Sequence, residues 1–414
     1  KKRVKSFMRK SDLHPRLQET CRAISGHSGC YAVVPEPVPT NVPAANCAGL
    51  FVLARRELTA LKEAISADPD LAKIVFHMLN RREAVDSSQI EGTRTGFDGL
   101  LIHEIEGGTS SETGDGDAEE TLAYVRAYMH GFQQVELHGQ AAFDNDLINQ
   151  IHGILMRGQE RSMPGKPREK QNYIGTRLET ATYIPPPAAE VPRLMDDLAG
   201  LLQYQPDGVM EVSILMRAPI AHVQFEAIHP FLDGNGRTGR LLLPLMLQAA
   251  SEPPIHLAAF LKVRQRDYYD ALLKAQVRLE WEPWIKLFLE CVIASAKHTV
   301  QLFGKIYSIH AAWQQQLHAQ KRRRHATIWK VANLLLGQPV VTVNEVARRL
   351  KVTYPAANDA IEDLLAMGIL RTNNDSRRNR VFQSHEVLNA LYTGLDQVLD
   401  ETRAAYEYFA GPAV

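Results

Sequence analysis

Between residues 53 and 318 the apolar side chains mostly return every three or four positions, and one long segment breaks the rhythm. Such spacing puts the apolar residues on one stripe of a helix, so a mainly α fold is expected. Leu58, Leu61 and Ile65 mark one helix, and Leu71, Ile74, Val75, Met78 and Leu79 mark the next. Asp68-Pro69 divides them, because proline fits the first turn of a helix and interrupts its middle. Further helices are expected at 118–135, 145–157, 190–204, 210–228, 236–250, 267–278 and 282–318, with a Gly/Ser/Thr/Asp-rich loop at 107–117. The interrupting segment is 158–192. Its glycines and prolines exclude a helix, and its runs QNYIG and TATYI can pair as a small hairpin.

At 414 residues the chain exceeds what one hydrophobic core usually serves, so several domains are expected. A hydrophobic share of 45% and a charged share of 23% are ordinary for a soluble protein. The apolar run Leu241–Leu247 is short and interrupted by Pro244, so no membrane span is expected. The opening KKRVKSFMRK has no apolar stretch behind it and does not read as a secretory signal. Cys21, Cys30, Cys47 and Cys291 form no C-x-x-C pair, which fits a reduced, cytoplasmic setting. Lys plus Arg (47) equals Asp plus Glu (47), but the balance is uneven locally. Residues 321–385 hold twelve basic side chains against five acidic ones, a net of +7. Their pattern of three helices, then strand, basic loop and strand is that of a winged helix-turn-helix. Duplex DNA is one expected partner of 321–385, and protein docking or dimerisation, giving a homodimer, is the other.

The chemistry concentrates in HPFLDGNGRTGR, His229 to Arg240. Gly234 and Gly236 flank Asn235 just before an apolar helical run, so backbone N–H groups and a helix N-terminus converge as an anion nest. Arg237 and Arg240, three apart, project from one helix face toward that anion. Asp233 precedes the nest and is suited to Mg²⁺ bridging phosphate oxygens. His229 titrates nearest neutrality and can take a proton from an attacking hydroxyl.

This segment resembles the Fic family signature H-x-F-x-[D/E]-G-N-G-R-x-x-R, with every specified position present. QNYIG and TYIPPP resemble the family's target-binding flap, and DYYDALL (267–273) the segment lining its nucleotide pocket. The resemblance implies a Fic-type helical bundle with a small β-hairpin flap, followed by the winged helix-turn-helix. It implies a protein AMP transferase using ATP and Mg²⁺ to modify a Ser, Thr or Tyr hydroxyl of a target protein. His229 would be the base and Asp233 the metal ligand. Gly234, Asn235, Gly236, Arg237, Thr238, Gly239 and Arg240 would bind the phosphates, and Tyr268, Tyr269 and Gln276 the adenine or ribose. Tyr183, Ile184 and Pro185 would belong to the target-binding flap. SSQIEG, Ser87 to Gly92, resembles the family's inhibitory motif [S/T]-x-x-x-E-[G/N]. It implies that Glu91, with Ser87, restrains Arg240. The same motif leaves hydrolytic removal of AMP open, and the signature leaves open another transferred nucleotide or a DNA-binding regulator with a Fic sensor core. The expected organisation is an arm (1–50), a helical region with the inhibitory helix (51–117), the catalytic domain (118–300), a linker helix (301–320), the winged helix-turn-helix (321–385) and a helical tail (386–414).

Overall fold

The computed structural model describes residues 8–105, 116–205, 212–320, 326–372 and 380–410. In chain order come α1 (Pro15–Thr20), the hairpin strands β1 (Arg22–Ala23) and β2 (Tyr31–Ala32), α2 (Ala48–Ala67), α3 (Pro69–Ile90), α4 (Phe97–Ile105), α5 (Gly116–His138) and α6 (Asn145–Leu155). After the irregular segment follow α7 (Val191–Leu202), α8 (Ile214–Ile228), α9 (Asn235–Ala249), α10 (Ala258–Val263), α11 (Gln265–Arg278) and α12 (Glu282–Ala319). The C-terminal part holds α13 (Thr327–Leu335), β3 (Val340–Val341), α14 (Val343–Leu350), α15 (Tyr354–Ala366), β4 (Arg371–Thr372), β5 (Phe382–Gln383), α16 (His385–Tyr392) and α17 (Leu395–Ala410). The mainly α expectation holds.

The break at Asp68-Pro69 falls where expected. Asp68 Oδ1 accepts the Leu71 N–H at 3.0 Å, satisfying one of the donors that open α3. Helix α2 buries Leu50, Leu53, Ala54, Leu58 and Leu61, the three- and four-residue stripe that its sequence shows. The last two turns of α3 follow another rule. Arg82, Glu83, Asp86, Ser87 and Ser88 are all buried there. Charges inside a protein need partners. Arg82 pairs with Asp86 at 3.3 Å, Asp86 accepts from Lys262 Nζ at 2.9 Å, and Glu83 accepts the Ala258 N–H at 2.9 Å. These contacts dock α3 on the start of α10, an element too short for its periodicity to announce.

Helix α12 runs unbroken across residue 300, where the expected organisation placed a boundary. At about 1.5 Å per residue it is roughly 57 Å long. Trp313, near its far end, donates from Nε1 to Glu386 of α16 at 2.7 Å. The C-terminal strands form an antiparallel sheet of order β3-β5-β4, with Val340 opposite Gln383 and Arg371 opposite Gln383. Strand β3 was not expected. The basic residues Lys321–Arg324 and the basic loop residues Arg377 and Arg378 lie outside the described residues. Residues 8–50 are not simply extended: around α1 and the β1–β2 hairpin, Leu13, Leu17 and Val33 are buried with Tyr183 of the irregular segment.

Burial pushes the Glu83 carboxyl up to about 8, opposed by the Ala258 N–H that it accepts. A raised folded-state pKa contributes stability that is fully present below the unfolded value, 4.5, and lost as pH rises through about 8. The wild-type melting temperature should therefore fall between pH 5 and 8.5, and Glu83→Gln should flatten that fall in scanning fluorimetry. Identical pH dependence in both proteins would mean that Glu83 ionises freely inside the fold.

Candidate active site

The signature opens at a helix end. Helix α8 closes at His229, whose backbone is left-handed (φ 49°) and whose N–H still reaches Phe225 O at 2.9 Å. The next proline cannot continue the helix. Four side chains then fold the loop. Asn235 accepts the Phe231 N–H and donates to Phe231 O, both at 2.9 Å. His152 of α6 stacks on Phe231 with ring centroids 3.7 Å apart, accepts the Gly165 N–H at Nδ1 (2.9 Å) and faces Asp233 O with Nε2 (3.0 Å). That pairing makes Nδ1 the acceptor and Nε2 the donor. Burial pushes this imidazole down to about 4, so it stays neutral. Arg168 is buried and spends its fork on carbonyls: His229 O at 2.8 Å, Pro186 O at 2.6 Å and Lys170 O at 3.0 Å. Asn172 donates to Phe231 O and Leu232 O at 3.2 and 3.1 Å.

Helix α9 starts directly after Gly234, which takes φ +76° and has Met156 and His152 packed close by. The N–H groups of Asn235, Gly236 and Arg237 form the first turn, where an α-helix leaves donors without intrahelical partners. The side chain of Asn235 is committed to Phe231, so only its backbone is available to an anion. Glu91 sits over this turn: a Cβ at Gly236 would collide with Glu91 Oε1. Arg240 is 1% exposed and donates to Glu91 Oε1 at 2.6 Å, to Ser87 Oγ at 2.9 Å and to Ser87 O at 3.0 Å. Burial acts to raise the Glu91 pKa, but the Arg240 guanidinium holds the carboxyl below its ordinary range. Arg237 pairs with Glu120 of α5 and touches Met156 Sδ at 3.4 Å. The two arginines therefore meet two different acids. Desolvation, with the Arg168 charge nearby, pushes His229 down to about 4, leaving it unprotonated at neutral pH.

Residues 142–247 match the Fic/DOC family and residues 49–133 match the Fic/DOC family N-terminal region. The chain carries a Fic domain preceded by a Fic N-terminal region. It is 33% identical over 148 residues to the protein adenylyltransferase Fic of Culex quinquefasciatus, covering 35% of this chain and 27% of that protein. It is 30% identical over 150 residues to the protein adenylyltransferase fic-1 of Caenorhabditis briggsae, covering 36% and 27%. The match thus spans about a quarter of the length of these curated relatives. The crystal structure of a Fic domain containing signaling protein from Bacteroides thetaiotaomicron is similar in fold, with a TM-score of 0.50 and 17% identity over 59% of this chain and 96% of that one.

Within this Fic core the flap is a short hairpin. Ile174 N donates to Tyr183 O and Thr182 N to Ile174 O, both at 2.8 Å. Tyr183, Ile184 and Pro185 are buried: the Tyr183 hydroxyl donates to Ala227 O at 3.0 Å, and Val33 of the arm donates to Ile184 O at 2.8 Å. The second flap strand is thus covered, whereas Tyr173 on the first is 39% exposed. Tyr268 is a core residue, hydrogen-bonded to His222 at 2.8 Å, while Tyr269 stacks on it and stays exposed. Gln276 is buried two turns further along α11, and Thr238 turns its hydroxyl to Gly234 O at 2.9 Å. His152, Arg168, Asn172, Glu120 and Glu226 escaped sequence reasoning. They lie in irregular chain, on other helices or inside an apolar-looking run, where spacing carries no signal.

Arg168→Met should cost at least about 2 kcal/mol, because several buried carbonyls lose their donors together. Lysine should rescue little, since an ammonium cannot reproduce the fork. Urea unfolding measures both; an unchanged midpoint for the methionine variant would remove Arg168 from the framework of the site.

Proposed function

We propose that this chain transfers AMP from ATP to a hydroxyl of a protein target. The observation carrying this reading is the carboxylate of Glu91 lying on Gly236 and Arg240, an acid seated where a phosphate would sit, beside an unprotonated His229. A first-turn nest and a buried guanidinium suit phosphate. The target hydroxyl loses its proton to His229 and its oxygen attacks the α-phosphorus, while pyrophosphate leaves against Arg237, Arg240 and the N–H groups that open α9. Asp233 is exposed with Oδ1 on the Gly234 N–H, and one carboxylate plus phosphate oxygens and water is a donor set that Mg²⁺ takes, so the ion would be held there to neutralise phosphate charge. The target would lie along the exposed flap strand at Tyr173. Tyr269, the open one of the two tyrosines, would meet the nucleotide.

In this reading Glu91, with Ser87, is inhibitory: carboxylate and γ-phosphate compete for one guanidinium. A second reading is favoured by the 35% of the Glu91 side chain left exposed, which allows it to hold a water for the reverse hydrolysis. Duplex DNA is not part of the proposal. In the described residues Arg348 and Arg349 pair with Glu345, Arg380 pairs with Glu362, and α15 exposes Asp359 and Glu362. The C-terminal unit suits protein docking better, since exposed carboxylates repel phosphate.

His229→Ala should lower AMP transfer at least about 10²-fold and leave ATP binding in place, because the imidazole meets the hydroxyl rather than the phosphates. Glu91→Gly should raise transfer; Arg240→Ala should not, and the double variant should behave like Arg240→Ala. Labelled ATP incubated with lysate and with a pre-modified target reads both directions. Transfer that survives His229→Ala sinks the mechanism, and Glu91→Gly with both rates unchanged sinks the inhibitory assignment.

A further inference from the structure

The acid nearest the base belongs to neither arginine. Glu226 stands one turn before His229, at the end of α8, with Oε2 4.0 Å from His229 Nδ1. Glu226 is buried and His229 is partly buried; Nδ1 and Glu226 Oε1 have no hydrogen-bond partner of good geometry, with the Glu226 backbone carbonyl also close to the ring. A carboxylate fits here because position 239 is glycine: a Cβ there would stand 2.7 Å from Glu226 Oε1. Buried polar atoms are rarely left without partners, and two such atoms on side chains that approach within 4.0 Å call for an explanation. Nδ1 has no contact with solvent, so the exposed 16% of the His229 side chain lies toward the opposite ring edge, which carries Nε2.

The geometry points to Glu226 as a positioning residue that holds His229 by Nδ1 and shares one proton with it, leaving Nε2 bare for the target hydroxyl. This inference rests on the AMP-transfer reading for its kinetic consequence but not for its structural one. In the step itself the hydroxyl proton passes to Nε2 as the new O–P bond forms and the bond to pyrophosphate breaks. The Nδ1 proton moves onto the Glu226 carboxylate or is held against it, and one proton is later released to solvent. No other reactant is needed.

The groups facing Glu226 come from several elements. They are His222 on α8, Arg240 on α9, Glu91 at the end of α3, and the hydroxyls of Tyr268 and Tyr269 on α11, with Arg168 behind His229. Burial raises the Glu226 carboxyl to about 7; Arg240 opposes this and Glu91 adds to it. The pair therefore holds a second proton, on the carboxyl, up to neutrality and sheds it above while keeping the Nδ1 proton, as interacting sites titrate together rather than singly.

Two measurements on the full chain test this. In ¹⁵N-histidine NMR without ATP, the His229 ring should show the Nδ1–H form and a shift step near pH 7 that reports Glu226. Glu226→Gln, which keeps the shape, should erase that step. On a Glu91→Gly background, self-modification at saturating ATP should rise with pH through about 7, and Glu226→Gln should flatten the rise and lower the rate at pH 8 at least about tenfold, with ATP affinity unchanged. No neutral step for His229 in the wild type, or the same step in the glutamine variant, overturns the proposal whatever the rates do. A step erased by glutamine without any AMP transfer at any pH would leave the pair standing and remove the transfer reading instead.

Discussion

A guanidinium that is almost wholly inside the protein must be answered by an acid, and Arg240 is that guanidinium. Leaving such a charge buried without its partner costs several kcal/mol. The contacts from Ser87 and Glu91 therefore oblige α3 and α9 to meet along their polar ends. Much of the unusual character of α3 follows from this. Its last turns pass through the interior, so they bring Arg82, Glu83 and Asp86 with them, and α10 and Lys262 supply the compensating bonds. Gly236 belongs to the same constraint, since any side chain there would push the carboxylate off the arginine. In the proposed reaction a nucleotide entering the nest would exchange one anion for another, which would make binding and release of α3's end one event energetically.

The loop that starts at His229 is held from the opposite side by a different chemistry. Arg168 gathers carbonyls rather than carboxylates, joining the end of α8 to the flap through His229 O and Pro186 O. Rigidity has an electrostatic side effect, because a fixed positive charge beside an imidazole disfavours its protonation. Nearby acids, Glu91 and Asp233 among them, act in the opposite direction. The arm completes the arrangement by pairing Val33 with Ile184, which supports a hairpin that would be marginal alone.

The legible parts of the sequence were those in which neighbouring residues act together. The run from His229 to Arg240 carries its meaning in adjacency, and Asp68-Pro69 carries it in a cap and a ring. The hairpin at 174 and 183 was readable because glycine and proline exclude the alternatives. What stayed hidden depends on distance or on inward-facing polarity. Glu120 reaches Arg237 from 117 positions away. Glu226 sits in a stretch where nearly every residue is buried, so no amphipathic stripe distinguishes it. The interior charges of α3 look like a solvated face when apolar period is the only guide. The arm was expected to be extended because its prolines are visible, whereas the partner that folds Leu13 and Leu17 lies in another part of the chain.

The left-handed backbone at His229 sets stability and chemistry at odds. A residue with a side chain gives up about 1–2 kcal/mol to stand there, and glycine would not. Breeding this protein for heat resistance alone would thus tend to discard the imidazole, and under the proposed mechanism the hardiest descendants would be inert. The backbone itself has no use for a histidine there, so under the proposed mechanism the reaction alone would favour it.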